Sequence, residues 1–351
     1  MKAVIYRDGT ATAEEYDGTL GDMMAQCYAR IAEGKDTAVR IPPALGPMFD
    51  RLEEALQIRI AREYADISVP PIPTHGGAVL VAYSSGLDST SHALHLRAQG
   101  REVVLFHVKN LNRAYPDEAR YAQAFAEHYG IPLVMIEPAW IGQRGAYVDN
   151  PIKNQTILAH MLDYGRSIGC TEYAMGNYPT DKLMEQIQGY WTSDSVELYE
   201  AFNACMQTLL PGYQYHSMPF DKYGAFEFIT REEPEAWAYI NSCIRPHRFK
   251  DYTHDQTVEK YGVQLIPHHC GVCYKCALEY LMLADLGYYP MEVTYARKCI
   301  NTLREQDGTT FTMGIRKCLS DAEVLRKALG RDINGARWHS VTDRIARRQR
   351  A

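Results

Sequence analysis

Five short apolar runs set the strongest constraint on this chain: AVLVAY from Ala78, EVVLFHV from Glu102, IPLVMI from Ile131, TEYAMG from Thr171 and YQYHSM from Tyr213. The first three are apolar almost throughout, with little alternation of polar and apolar residues, which is the pattern of strands buried on both faces. Stretches of helical length separate the runs, reaching to about Ala98, then over Asp117 to Tyr129, Ile152 to Ser167 and Ser193 to Leu209. Strands joined by helical crossovers predict a doubly wound α/β fold around a five-stranded parallel sheet.

The 351 residues correspond to roughly two domains at ~150 residues each. SVPPIPTHGG, Ser68 to Gly77, punctuates the chain and marks a boundary. Four regions are expected: an N-terminal extension over 1–75, the α/β domain over 76–230, a cysteine-bearing lobe over 231–290, and a helical region over 291–351. The extension holds a candidate strand from Lys2 to Tyr6 and an apolar-periodic helix from about Pro47 to Ala65, while the polar segment from Arg231 to Tyr261 has no clear assignment. No apolar stretch approaches the ~20 residues of a membrane helix, and the start lacks the apolar core of a secretory signal, so a cytoplasmic location is expected. A net charge of −6 argues against a generally basic nucleic-acid binder. The basic run at Arg344, Arg347, Arg348 and Arg350 leaves nucleic acid as a possible partner.

After the first strand comes Ser84-Ser85-Gly86-Leu87-Asp88-Ser89-Thr90, a small, hydroxyl-rich turn running into a helix. Converging backbone N–H groups and the positive end of the helix suit a phosphate or pyrophosphate there, and Ser84, Ser85, Ser89 and Thr90 add hydroxyls. No Walker lysine follows, and no dinucleotide fingerprint is present. Asp88 can cap the helix or act through Mg²⁺, which favours carboxylate and phosphate oxygens.

Nine cysteines occur, three of them as Cys270-x2-Cys273-x2-Cys276. With Cys243 upstream they make a tetrahedral zinc set, in which His268 or His269 could replace Cys243. An iron–sulfur run would want a further Cys where Tyr280 stands. Cys27, Cys170, Cys205, Cys299 and Cys318 read as small buried apolar residues.

The turn resembles the S-G-G-x-D-S signature of the pyrophosphatase-loop (PP-loop) ATP enzymes, with Ser85 where that family usually has Gly. The loop followed by the cysteine set is similar to 7-cyano-7-deazaguanine synthases of the queuosine precursor pathway. Ser242-Cys243-Ile244 resembles their S-C-Y, and His269-Cys270-Gly271-Val272-Cys273-Tyr274-Lys275-Cys276 resembles their P-C-G-x-C-x-x-C, with a longer gap between the two. Pro151-Ile152-Lys153-Asn154 resembles P-x-R-N, and Asn112-Arg113 resembles a G-Q-R turn. Gly176-Asn177 with Asp181, and Met218-Pro219-Phe220 with Lys222, resemble later segments bordering nucleotide and substrate. One segment departs: Asp194-Ser195-Val196 stands where the family has D-C-R, so a carboxylate-holding Arg is replaced.

The resemblance implies an adenine nucleotide alpha hydrolase-like (HUP type) fold with a zinc-binding lobe, acting as an ATP-dependent ligase. A carboxylate, such as that of 7-carboxy-7-deazaguanine, receives AMP as pyrophosphate leaves, and ammonia or another amine then attacks to give a nitrile, amide or conjugate. ATP and Mg²⁺ fall to Ser84, Ser85, Gly86, Leu87, Asp88, Ser89, Thr90, Lys153, Asn154, Gly176 and Asp181, with Asp88, Ser89 and Lys222 catalytic. Zn²⁺ falls to Cys243, Cys270, Cys273 and Cys276, and a homodimer is implied. Two rival readings stand beside this one: a PP-loop enzyme that modifies tRNA or a nucleobase, and a degenerate fold kept as a nucleotide sensor or assembly subunit.

Overall fold

The computed structural model describes residues 1–33, 38–56, 59–66, 77–111, 117–138, 152–176, 196–210, 212–220 and 222–241. The chain divides into two compact units: Met1–Ser84 with His92–Pro219, and Ser85–Ser91 with the chain from Phe220 on.

In the first unit the five apolar runs become strands β5 (Ala78–Ala82), β6 (Glu102–Val108), β7 (Leu133–Ile136), β8 (Glu172–Ala174) and β9 (Gln214–His216). They pair in parallel in the spatial order β7-β6-β5-β8-β9. The connecting helices are α3 (Leu87–Ala98), α4 (Glu118–Tyr129), α5 (Lys153–Ser167) and α6 (Val196–Leu209). The described fold is therefore α/β around a mostly parallel sheet.

The N-terminal segment adds two more strands, so the sheet has seven strands among the described residues rather than the five expected. β1 (Lys2–Arg7) pairs antiparallel with β7 and with β2 (Thr10–Glu15). Between β1 and β2, Asp8 and Gly9 both take positive φ, 49° and 73°. That is the conformation of a two-residue hairpin turn whose twist matches its strands, and Asp-Gly is its preferred sequence. Helix α1 (Thr19–Glu33) and the short parallel pair β3 (Val39–Ile41) and β4 (Arg62–Tyr64) follow. The helix expected over Pro47 to Ala65 is shorter: α2 spans Gly46–Leu56, and the chain then extends into β4.

Side-chain alternation along the strands assigns the two faces. Leu80, Ala82, Val104, Phe106, Val108, Val134 and Ile136 join a core with buried residues of α1, α2, α5 and α6. The intervening Val79, Val81, Val103, Leu105, Leu133 and Met135 are buried against the opposite side, where Phe125 of α4 stacks on Tyr83 with centroids 5.0 Å apart. Because connections between parallel strands are right-handed almost without exception, the β5-to-β6 and β6-to-β7 connections assign α3 and α4 to one common side of the sheet.

Helix α5 is buried continuously from Gln155 to Gly165. Two glycines allow its neighbours to reach it. A Cβ on Gly165 would lie 2.4 Å from the Tyr173 hydroxyl of β8, and a Cβ on Gly21 of α1 would lie 1.9 Å from His160 Nδ1. The Gly21 N–H also donates to the Asp163 carboxylate at 2.7 Å, which gives the amino end of α1 an acceptor from across the helix pair. No described helix is long and apolar enough to cross a membrane.

In the second unit, α7 (Lys222–Glu232) is followed by a 3₁₀ turn at Pro234–Ala238. Part of the polar segment that begins at Arg231 is therefore helical.

Replacing Gly21 with Ala forces α1 away from α5 or distorts His160. Overpacking of this kind costs about 1–3 kcal/mol, so Gly21→Ala is expected to lower the urea midpoint with little change in the m-value.

Candidate functional site

Among the parallel strands, chain order reverses at β5: β6 and β7 lie to one side, β8 and β9 to the other. In open α/β sheets the crevice outside the carboxyl ends of the two strands at such a switch point is the common ligand position. Ser84 follows β5 and Gly176 follows β8 at this edge. Lys153 and Asn154 open α5, the helix that lies between β7 and β8 in the chain.

Two histidines that sequence reasoning did not single out support the strand ends. His107 of β6 directs Nδ1 at the Tyr83 carbonyl, 2.8 Å away, just beyond β5. His92 of α3 directs Nδ1 at the Met175 carbonyl, 3.0 Å away, just beyond β8. A carbonyl only accepts, so each Nδ1 carries the proton and each Nε2 holds a lone pair. Both Nε2 atoms are buried without a hydrogen-bond partner. Burial pushes both imidazoles down to about 4, with the carbonyl contact opposing the shift in each. Both rings are therefore neutral across the physiological range. The sequence signal was only a polar residue within EVVLFHV and another in the first turns of a buried helix, neither of which names a partner.

The loop residues Ser85–Ser91 belong to the second unit. Ser85, fully buried, adopts φ 56°. This is the left-handed region, where a side chain costs roughly 1–2 kcal/mol relative to glycine. The turn it makes brings the chain into α3, which begins at Leu87. Within the first turn the Thr90 N–H donates to the Gly86 carbonyl at 3.1 Å, and the Ser89 hydroxyl donates to the same oxygen at 3.3 Å. Ser89 and Thr90 are buried, whereas Asp88 is half-buried and lies in the first turn, where a carboxylate favours the helix end. The loop thus has the parts an anion site needs: a helix amino end, small residues and hydroxyls. Asp88 adds a carboxylate of the kind that binds Mg²⁺.

Of the other expected site residues, Lys222 opens α7, and its side chain lies outside the described residues. Asp181, Cys243, Cys270, Cys273 and Cys276 lie outside them as well, as do His268, His269 and Asn177. Among the described residues no group of three or more His, Cys, Asp or Glu is arranged to hold a metal ion. Cys27, Cys170 and Cys205 are free and buried, as their sequence context implied, and burial raises all three thiols, Cys27 to about 12.

No protein-family model matches the chain, and no curated protein matches it.

Two outcomes follow from this geometry. A histidine whose folded pKa lies below its unfolded value contributes stability that is present above about pH 6.5 and lost as pH falls toward 4. His107→Asn keeps a donor near the Nδ1 position and removes the titration, so its melting temperature should fall less than that of the natural chain between pH 6.5 and 4. Ser85→Gly relieves the left-handed strain against a smaller entropic penalty, and should raise stability by about 1 kcal/mol in chemical denaturation.

Proposed function

We propose that the chain is an ATP-dependent carboxylate-activating ligase of the PP-loop kind, with 7-carboxy-7-deazaguanine or a related deazapurine acid as acceptor. The observation that carries this reading is the loop after β5. A left-handed Ser85 turns a buried parallel strand into the amino end of α3, with Ser89 and Thr90 buried in the first turn. The resemblance of Ser84 to Ser89 to the PP-loop signature, and of the cysteine set to that of 7-cyano-7-deazaguanine synthases, specifies the chemistry.

In this reading the loop from Ser84 to Thr90 holds the β and γ phosphates of ATP, with the backbone N–H groups at the amino end of α3 as its principal donors. Asp88 would hold Mg²⁺, which when bound would supply charge to offset that of the departing pyrophosphate. An acceptor carboxylate oxygen attacks the α phosphorus, the bond to the β-phosphate oxygen breaks, and pyrophosphate leaves with that electron pair. Ammonia or another amine adds to the activated carbonyl, AMP leaves and the amine loses a proton, which gives an amide. A second ATP-dependent dehydration would carry the amide to a nitrile. By the resemblance alone, Lys222 and Lys153 would supply positive charge for the phosphates, and Asn154, Gly176 and Asp181 would border nucleotide and acceptor. Cys243, Cys270, Cys273 and Cys276 would hold a structural Zn²⁺. A homodimer in the cytoplasm accords with the resemblance.

The test is release of pyrophosphate and AMP from Mg·ATP and ammonia, with and without 7-carboxy-7-deazaguanine, and product identification by mass spectrometry. Acceptor-dependent pyrophosphate is expected, falling at least ~100-fold in Asp88→Ala. The stability cost of that variant should stay near the 0.3–1 kcal/mol of a lost helix-end charge. Saturable ATP binding with no pyrophosphate for any acid or tRNA would favour the sensor reading instead.

A further inference from the structure

We infer that Asn241 is a positioning residue for the phosphate loop, its backbone N–H latching the Ser85 carbonyl so that the left-handed turn keeps the shape an anion requires. The inference rests on the proposed function for its ligand, but not for its geometry. Asn241 and Ser85 belong to the same unit, although they lie far apart in the chain. The Asn241 N–H donates to the Ser85 oxygen at 2.7 Å, and both residues are buried, Asn241 at 5% exposure and Ser85 at 0%. Water is therefore poorly placed to substitute for this hydrogen bond.

The planarity of the peptide group gives the contact its leverage. In a trans peptide the carbonyl of one residue and the N–H of the next point in opposite directions. Fixing the Ser85 carbonyl toward Asn241 therefore fixes the Gly86 N–H toward the other side of the turn, as a donor for an anion there. The same bond opposes relaxation of Ser85 out of the left-handed region. A loop with Gly at this position pays no such strain, so the latch answers a need that the serine creates.

The side chain makes a separable contribution. Asn241 Oδ1 is buried without a hydrogen-bond partner, so truncation to Ala removes an unsatisfied acceptor while leaving the N–H in place. Backbone and side-chain roles can therefore be tested apart.

Hydrogen–deuterium exchange of the peptide covering residues 83–92, and Mg·ATP affinity by calorimetry, would be measured on the full chain. Asn241→Pro removes the N–H. It is expected to speed exchange in this peptide about tenfold and to weaken Mg·ATP about tenfold, the scale of one hydrogen bond. Asn241→Ala should leave exchange in this peptide unchanged. In Asn241→Pro the added Ser85→Gly change should bring exchange back to within about threefold of the natural chain, because glycine takes the left-handed turn without support. A backbone ester at position 241 replaces the N–H by oxygen without the steric demand of proline, and decides the matter should the proline variant not fold. Unchanged exchange in the variants lacking the N–H, or an equal effect from Asn241→Ala, would overturn the latch. Absence of Mg·ATP binding in the natural chain would sink the nucleotide reading alone, since exchange decides the latch without any ligand.

Discussion

The close approach of α5 to its neighbours on both sides is the constraint on which the first unit depends. A helix buried from Gln155 to Gly165 cannot tolerate bulk where the sheet and α1 meet it, and neither Gly165 nor Gly21 leaves room for a side chain there. Once α1 lies on α5, the strands before it are delivered to the free edge of β7. The N-terminal segment then becomes part of the sheet and its core rather than an appendage. Asp163, held in the same contact, is raised to about 7, chiefly by burial and against the favourable Gly21 N–H and Arg166 contacts. A neutral Asp163 is thus the easier form to bury, which lowers the electrostatic cost of joining the two helices.

The carboxyl edge of the sheet follows a different logic, in which polar groups are placed where an all-apolar core would serve stability better. His92 and His107 each satisfy one carbonyl and leave one nitrogen unsatisfied, an arrangement more demanding than a leucine at either position. In return, the carbonyls just past β5 and β8 are held by side chains from α3 and β6. Rigid strand ends at a switch point are what a binding site on loops requires from its scaffold.

Much of the first unit was legible because its signal is local. Runs such as VVLFHV and PLVMI can hardly be anything but strands between helices, and the observed α4 and α5 begin within a residue of their expected starts. The loop was legible for the same reason, since Ser84 to Thr90 carries strand end, turn and helix start in seven consecutive residues. The N-terminal segment was only half-read. Its Asp8-Gly9 hairpin signal followed the expected strand at Lys2 to Tyr6, but β2 beyond it is exposed throughout, so no apolar pattern marked that second strand. The helix expected to reach Ala65 ends at Leu56 because periodicity cannot tell where a helix gives way to a strand pairing with distant residues.

By itself the sequence determined the parallel strands, their crossover helices and the presence of a serine-rich turn at a helix start, because each is specified by neighbours in the chain. The resemblance to the PP-loop signature also singled out Ser85, a serine at the position where that signature has glycine. Only the tertiary structure decided that Ser85 is left-handed, that the Asn241 N–H meets its carbonyl, and that His92 and His107 turn toward Met175 and Tyr83. Those pairings join residues far apart in sequence. Their partners are backbone carbonyls and amides, which every residue carries and no residue type announces.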